Sequence, residues 1–513
     1  MTAARLRPIV AMLLALLALA AIGLSLLKLH ATETGVTIEP AIIAETPATI
    51  FRPEGRALGP VVVIAHGFAG SQQLMQSFAL AFARNGYGAV TFDFLGHGRN
   101  PAPLAGSITE EQGATRALVD ETAEVAAHAK TLGDGRLAVL GHSMASDIVV
   151  RFAAARPDVA ATIAVSMFSP EVTADAPRNL LVIVGEWEGM LKREALRVVE
   201  LATAPAAAEP GVTYGDPSAG TARRAAFSPN VEHASVLFSQ ASLREAFGWL
   251  DAVFAVERQE PPMIAGRGPW IMLLIAGCTL LARQLTPMLP RLAEPPAGAG
   301  LRWRRLWPAL LVPAIATPLL LRVLPTHFLP VLVGDYLAMH FLVYGLLTAL
   351  CLRWQRRGEG QRFGQSALSP ATIGAALAVA AFYLAALVWP IDSFMTSFVP
   401  TPARAALVLA MLVGTLAYFL ADEWATRGPG SARFAYAASK LAFVVSLAFA
   451  VALDFERLFF LIIIVPVIAL FFLVFGAFSA WIHRATGQPL VAALANALAF
   501  AWAIGVTFPL LAG

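Results

Sequence analysis

Ser143 lies in the segment best suited to chemistry, Gly141-His142-Ser143-Met144-Ala145. Residues 136–140 are apolar after Arg136 and follow a glycine-rich turn, which predicts a strand. Residues 144–155 have a helical pattern that ends before Pro157. A serine on a sharp turn between a strand and a helix presents its hydroxyl at the edge of the sheet. With a base to accept its proton, such a hydroxyl can attack a carbonyl carbon and carry an acyl group.

Two further loops follow predicted strands earlier in the chain. The strand predicted over residues 61–65 leads into the loop 66–70 (His-Gly-Phe-Ala-Gly). The strand predicted over residues 89–92 leads into the turn 93–98 (Asp-Phe-Leu-Gly-His-Gly). Together with the serine turn, these motifs resemble the α/β-hydrolase superfamily over about residues 45–256.

The resemblance implies roles for backbone groups near the serine. In the family, the loop at 66–70 supplies one amide of the oxyanion hole, which by position is that of Phe68. The second amide is that of Met144, directly after the serine. The second turn is structural in the family, so we expect His97 to be a turn residue and not a catalyst. Ala145 stands where glycine is usual, a departure that the fold can accommodate.

The resemblance also implies an acid and a histidine later in the chain. The acid often lies three residues beyond the glycine that follows the strand predicted over 180–184, which selects Glu188, with Glu186 as the alternative. His233, in a loop before the last helical run, is the expected base. In this triad His233 takes the proton of Ser143, while Glu188 fixes the tautomer of the histidine.

Little chain is available for a lid over this site. Only residues 169–178 separate two of the predicted strands, which is too few for the helical cap that many lipases insert. The cleft is therefore open, or another part of the chain covers it. The loop 392–404 carries apolar residues that could meet the catalytic face. We expect it instead to be an interfacial turn that anchors its helices.

Composition indicates a membrane protein. Of the 513 residues, 58% are hydrophobic and 14% are charged, more apolar surface than a soluble protein of this length can bury. A net charge of +3, without a basic stripe, makes nucleic acid an unsuitable partner. Cys278 and Cys351 lie in apolar stretches and are predicted to be buried thiols. The sequence predicts no cofactor, and no group of residues has metal-ligand spacing.

Nine membrane spans are predicted. The first, residues 8–27, is expected to be an uncleaved anchor, the alternative being a signal peptide. A polytopic domain over residues 269–513 holds about eight more. We place these spans near 270–289, 306–324, 328–352, 371–391, 405–420, 435–453, 458–482 and 490–511.

The loop charges predict an orientation. Basic residues are concentrated in alternate loops, which the positive-inside rule assigns to the cytoplasm. These residues are Arg283, Arg291, Arg302, Arg304, Arg305, Arg353, Arg356, Arg357, Arg362, Arg427, Arg433, Lys440 and Arg484. The N-terminus is then cytoplasmic, and the domain at 45–256 and the C-terminus lie outside. In a bacterial inner membrane, that side is the periplasm.

The ionisable residues within the spans carry no recognisable transporter or channel signature. Asp335 and His340 point about 140° apart on a helix, so we expect interhelical hydrogen bonding and not a shared ligand. Asp422 and Glu423 are expected to be solvated or paired with arginines.

The predicted fold is an α/β-hydrolase domain, with a mostly parallel sheet flanked by helices and no sizeable cap, plus an all-α transmembrane bundle. The function expected from this architecture is hydrolysis of an ester or related acyl bond, through an acyl-enzyme, at the outer membrane face. A lipid or lipid-linked substrate fits the membrane tether. Two alternatives remain: acyl transfer to an acceptor other than water, and a transporter or lipid-handling protein with an accessory hydrolase domain.

Overall fold

The computed structural model describes residues 3–106, 111–203, 207–355 and 368–512. Packing divides the chain into two units. The α/β unit holds Ile22–Leu274, Pro390–Phe398 and Pro509–Gly513. The helical unit holds Met1–Ala21, Ile275–Trp389 and Val399–Phe508.

A single sheet, nine-stranded in the described chain, forms the centre of the α/β unit in the order β1-β2-β4-β3-β5-β6-β7-β9-β8. Five neighbouring pairs, from β4 to β9, are parallel, and the three pairs nearest the edges are antiparallel. The strands are β1 (Val36–Ile43), β2 (Thr46–Pro53), β3 (Val61–Ala65), β4 (Gly88–Phe92), β5 (Leu137–His142), β6 (Val159–Val165), β7 (Leu180–Gly185), β8 (Thr213–Tyr214) and β9 (Arg223–Ser228).

Helices cover both faces of this sheet, which is why β3, β4, β5 and β7 are buried along their whole length and are apolar except for Thr91 and His142. Two helices pack on one face, and three pack on the other. The first pair is α2 (Gln76–Arg84) and α6 (Gln240–Phe254), and the second group is α3 (Arg116–Leu132), α4 (Met144–Ala154) and α5 (Gly189–Thr203).

The bounds of this unit differ from the predicted 45–256. The sheet begins at Val36, because β1 forms a hairpin with β2 that the sequence pattern did not reveal. Residues 390–398 and 509–512, predicted to belong to the domain at 269–513, pack within the α/β unit.

Eight helices in the described ranges are long and apolar enough to cross a membrane. They are Pro8–Ala31, Gly268–Met288, Gly334–Gln355, Pro370–Phe394, Pro402–Thr426, Ala435–Leu453, Phe460–Thr486 and Pro489–Thr507. The α-helices in these spans are α1 (Ala3–Ala31), α7 (Gly268–Leu285), α9 (Gly334–Gln355), α10 (Pro370–Tyr383), α11 (Trp389–Phe394), α12 (Pro402–Thr426), α13 (Ala435–Leu453), α15 (Phe460–Thr486) and α16 (Pro489–Thr507). Helices α10 and α11 belong to the same span. The short helix α14 (Phe455–Leu458) lies between α13 and α15.

The remaining predicted span, 306–324, is also helical. It forms α8 (Trp303–Leu321), which is not among these eight helices. Arg304 and Arg305 in its first turn, together with three internal prolines, lower its mean hydropathy. Arg356, Arg357 and Arg362 of the following predicted loop lie outside the described residues.

Several ionisable and polar groups inside the helical unit are paired. Asp422 and Glu423 are buried, so solvation, one of the two alternatives expected for them, is wrong. Asp422 contacts Lys440, and Glu423 contacts Arg427. His340 of α9 lies 3.1 Å from the hydroxyl of Ser446 on α13, an interhelical hydrogen bond of the expected kind.

Candidate active site

Ser143 occupies a strained turn between β5 and α4. Its φ of 54° and ψ of −120° are rare for a residue with a side chain. Its amide donates to the carbonyl of Val165 on the neighbouring strand, at 2.9 Å. Strand and helix approach so closely here that a Cβ on Gly141 would lie 2.3 Å from the carbonyl oxygen of Ala145. Glycine at 141 is therefore what allows the sharp turn.

His233 connects Ser143 to Glu188. Its Nε2 atom lies 2.9 Å from the Ser143 hydroxyl, and its Nδ1 atom lies 2.6 Å from Oε1 of Glu188. A carboxylate can only accept, so Nδ1 carries the proton and Nε2 is left to accept from the serine. The loops after β5, β7 and β9 bring these three residues together at the carboxyl edge of the sheet.

The structure distinguishes the two glutamates that the sequence left open. Glu188 contacts His233, whereas Glu186 accepts a hydrogen bond of 2.8 Å from the backbone amide of Asn230. Burial opposes ionisation of Glu188, but hydrogen bonds from His233, Ser166 and the Gly185 amide together lower its pKa below the usual value.

Two side chains of this site were not identified from the sequence. Ser166 donates from its hydroxyl to Oε2 of Glu188, at 2.7 Å. His142 was treated only as part of the serine turn, yet its Nε2 donates to the backbone carbonyl of His233 at 2.9 Å. Burial, and next the nearby His233, lower the pKa of His142 to about 3, so it stays neutral. One signal was available: His142 ends the buried strand β5 and Ser166 directly follows the strand β6, at the carboxyl edge of the sheet, where functional groups collect.

The loop 66–70 lies directly against the serine turn. A Cβ on Gly67 would lie 2.9 Å from the Cβ of Ser143 and 3.0 Å from the carbonyl oxygen of His142. His66 fixes this loop, because Nε2 accepts from the amide of Phe94 and Nδ1 donates to the carbonyl of Gly67. Phe68, one expected oxyanion donor, is thus carried by a loop that touches the serine turn. Met144, the other, is the first residue of α4, where backbone amides have no partner within the helix. His97 packs against His66 and Phe68 and does not join the triad.

Comparison with known proteins agrees with this arrangement. Residues 58–207 match the family described as serine aminopeptidase, S33, a stretch that contains the serine turn and the acid loop. Residues 36–254 form an α/β-hydrolase domain. The lipase LipV of Mycobacterium tuberculosis is 36% identical over 86 residues, which cover 17% of this chain and 28% of the lipase. The chain therefore spans less than a third of that relative's length.

Solved structures similar to the hydrolase domain include two from bacteria. TT1662 from Thermus thermophilus is 18% identical, with a TM-score of 0.32, and the match covers 42% of this chain and 99% of that one. A dienelactone hydrolase from Anabaena variabilis is 16% identical, with a TM-score of 0.30, and the match covers 42% and 97% of the two chains.

Residues 390–398 are held against the segment that follows loop 66–70. The hydroxyl of Ser71 accepts from the amide of Ser397 at 2.8 Å and lies 3.0 Å from the hydroxyl of Thr396. Gln73 accepts from the hydroxyls of Ser71 and Ser397, each at 2.8 Å. Our expectation of a purely interfacial turn was therefore wrong for this part of the loop 392–404, which is built into the hydrolase domain.

Residues 509–512 also attach to the hydrolase domain. Leu510 donates from its amide to the carbonyl of Gly96 and accepts from the amide of Leu104, both at 2.8 Å. The amide of Ala512 donates to the carbonyl of Leu104 at 2.9 Å, completing a short parallel pairing. In the described parts of the chain, no three His, Cys, Asp or Glu side chains are grouped as a metal site would need.

Proposed function

We propose that the chain is a membrane-bound serine hydrolase that cleaves an ester or related acyl bond. The observation that carries this proposal is the continuous contact from Oε1 of Glu188, through both nitrogens of His233, to the hydroxyl of Ser143. This is the arrangement that activates a serine hydroxyl for attack on a carbonyl carbon.

The reaction has two steps. His233 takes the hydroxyl proton as the Ser143 oxygen bonds to the carbonyl carbon, and the amides of Phe68 and Met144 stabilise the resulting oxyanion. The leaving group departs with the proton from His233, so that the acyl group stays on Ser143. Water then attacks the acyl-enzyme, giving its proton to His233, and the acid product leaves as the proton returns to Ser143.

A lipid or lipid-linked substrate at the outer membrane face fits the rest of the chain. Eight candidate spans would hold the hydrolase domain at a bilayer, and one relative of that domain is a lipase. The connection between β6 and β7, residues 166–179, contains no helix, so no helical cap is inserted there over the cleft.

The attachment of two late segments to the hydrolase domain supports nine spans, with residues 390–398 and 509–512 on the same side of the bilayer as the triad. Because residues 390–398 and 509–512 share a unit with the triad, the chain crosses a bilayer an even number of times between 268 and 390, and again between 398 and 509. The second interval holds four long helices, which are α12, α13, α15 and α16. The first interval holds α7, α9 and α10, and its number of crossings is even only if α8 is counted as a fourth. At 19 residues, α8 is about 28 Å long, close to the thickness of the hydrocarbon core.

Labelling with a fluorophosphonate probe tests the proposed nucleophile in detergent-solubilised full-length protein. Wild type should be labelled, Ser143→Ala should not, and His233→Ala should react at least about 100-fold more slowly. Ser218→Ala and His128→Ala, at exposed positions of the same domain, are matched controls that should behave as wild type. Absence of labelling in folded wild type would contradict the proposal.

The orientation is tested separately, with Leu201→Cys in a background where Cys278 and Cys351 are serine. A membrane-impermeant maleimide should label position 201 in intact cells if the hydrolase domain is outside. Labelling only after lysis would place the domain in the cytoplasm and contradict this part of the proposal.

A further inference from the structure

The catalytic edge of the sheet is the edge to which the chain's connections to its long apolar helices attach. At the start of α7, Gly268 lies against Phe238, which follows the His233 loop. Thr396 and Ser397, between α11 and α12, bind the segment after β3, as described above. Leu510, beyond α16, binds the turn after β4. The end of α1 joins the same group of contacts, because the ring of His30 lies 5.7 Å from that of Phe394.

These attachments limit how far the catalytic edge can lie from a bilayer. Phe398 is four residues before Pro402, the first residue of α12, and Leu510 is three residues after Thr507, the last residue of α16. An extended chain covers at most about 3.6 Å per residue, so both contacts lie within about 15 Å of a span's end.

Three large apolar side chains are exposed at this same edge, two of them on loops and one in the first turn of α5. Phe168, Trp187 and Met190 are 62%, 67% and 65% exposed. Phe168 comes two residues after Ser166, Trp187 directly precedes Glu188, and Met190 comes two residues after it. The backbone amide of Trp187 donates to the carbonyl of Val231, in the His233 loop, at 3.2 Å. We call Phe168, Trp187 and Met190 the apolar rim.

We propose that the apolar rim inserts into the outer leaflet of the bilayer, so that an acyl substrate reaches Ser143 from the lipid and not from water. Exposed aromatic and apolar side chains grouped on one edge are costly in water and suited to the membrane interface, where tryptophan is enriched. A second protein is a poorer occupant, because only short connections separate the attachments at this edge from the ends of the candidate spans in α12 and α16. The inference rests on the proposed function for the substrate, but the contact with lipid is independent of catalysis.

The contact with lipid is tested by depth-dependent quenching. Met190→Cys and Leu201→Cys, each in a background with Cys278 and Cys351 changed to serine, carry an environment-sensitive fluorophore in reconstituted full-length protein. Both positions are exposed and lie on α5, about 16 Å apart along the helix axis, with residue 201 toward the opposite edge of the sheet. Brominated lipid should quench the probe at 190 and not at 201, whereas aqueous iodide should quench mainly the probe at 201. Iodide quenching at 190 without quenching by brominated lipid would overturn the proposal.

The role in substrate access is tested by kinetics on two substrates. Trp187→Ser with Met190→Ser should lower turnover of a long-chain ester embedded in phospholipid vesicles by about 10-fold or more, since two large apolar contacts with lipid are lost. Turnover of a short soluble ester and fluorophosphonate labelling should stay at wild-type levels. Leu201→Ser is the matched control and should change neither.

The outcomes separate the two proposals. Equal losses of turnover on both substrates would make the rim part of the acyl pocket and overturn its assignment to the bilayer. Unchanged turnover of both substrates would also overturn that assignment. If wild type hydrolyses neither ester and takes no probe, the proposed function fails, while quenching by brominated lipid at position 190 would still establish the membrane contact.

Discussion

The hydroxyl of Ser166 donates a 2.7 Å hydrogen bond to Oε2 of Glu188, the carboxylate oxygen that His233 does not contact. Ser166 is buried and has a φ of 52°, a strained conformation for a residue with a side chain. Strain at this position, directly after β6, brings the hydroxyl to the acid. Glu188 is thereby fixed from both sides, which orients the imidazole of His233 toward Ser143.

Removing this hydroxyl should impair catalysis without unfolding the domain. We expect Ser166→Ala to lower kcat on a short soluble ester by about 10-fold, because a hydrogen bond to a charged group contributes about 1.5–3 kcal/mol. KM should change little, since Ser166 touches the acid and not the substrate. Ser166→Gly relieves the backbone strain but also lacks the hydroxyl, so the two variants should lose similar activity. Wild-type kcat in the glycine variant would show that the hydroxyl serves to hold the strained backbone and not to orient Glu188.

The neighbouring glutamates provide a matched pair for the acid. Glu188→Gln should lower kcat by about 10³-fold or more, because an amide in place of the carboxylate permits the wrong tautomer of His233. Glu186→Gln should keep activity within about 3-fold, because Glu186 only accepts from the amide of Asn230. Steady-state kinetics on the soluble ester, with thermal unfolding as a check of folding, would measure both. Equal losses in the two variants would argue against the assignment of Glu188.

Sequence reasoning identified the parts of this site that depend on local pattern. The strand–turn–helix around Ser143 and the apolar strands before loop 66–70 and before Glu188 follow from short-range periodicity and turn residues. The spacing from Gly185 selected Glu188 from two glutamates, and the structure brings that residue, not Glu186, to His233.

The parts that sequence reasoning missed depend on long-range contacts. Ser166 and His142 act through partners that are distant in sequence, Glu188 and the carbonyl of His233. The segments 390–398 and 509–512 lie more than a hundred residues from the loops they bind, and nothing in their local composition distinguishes them from turns at the ends of apolar helices. Strand β1 was missed for a different reason, because it is largely exposed and lacks the apolar pattern of a buried strand.

The close approach at Gly67 makes a specific prediction about the oxyanion hole. A Cβ at this position would lie 2.9 Å from the Cβ of Ser143, so Gly67→Ala should push loop 66–70 away from the serine turn. We expect kcat to fall by about 100-fold, the loss typical for one misplaced oxyanion donor. Gly189→Ala is the control, because a Cβ there has no neighbour within 4 Å. Full activity in Gly67→Ala would show that the loop does not supply a donor.

A buried carboxylate away from the triad should make stability depend on pH. Glu121 of α3 accepts hydrogen bonds from Thr46, from the amide of Leu95 and from Asn100. Burial outweighs these contacts and raises its pKa to about 7. The folded state therefore holds a proton that the unfolded state loses at about pH 4.5, where the pKa of an exposed glutamate lies.

Between about pH 4.5 and 7, the folded state thus binds more protons than the unfolded state, so the free energy of unfolding should fall as pH rises. The fall should total about 3 kcal/mol and level off above pH 7, once both states have lost the proton. Glu121→Gln should abolish this component, whereas Asp120→Asn, an exposed carboxylate on the same helix, should preserve it. Thermal midpoints of the detergent-solubilised proteins between pH 5 and 8 would measure the difference. An identical pH profile in wild type and Glu121→Gln would mean that Glu121 is already ionised in the folded domain at pH 5, its three hydrogen-bond donors having offset the cost of burial.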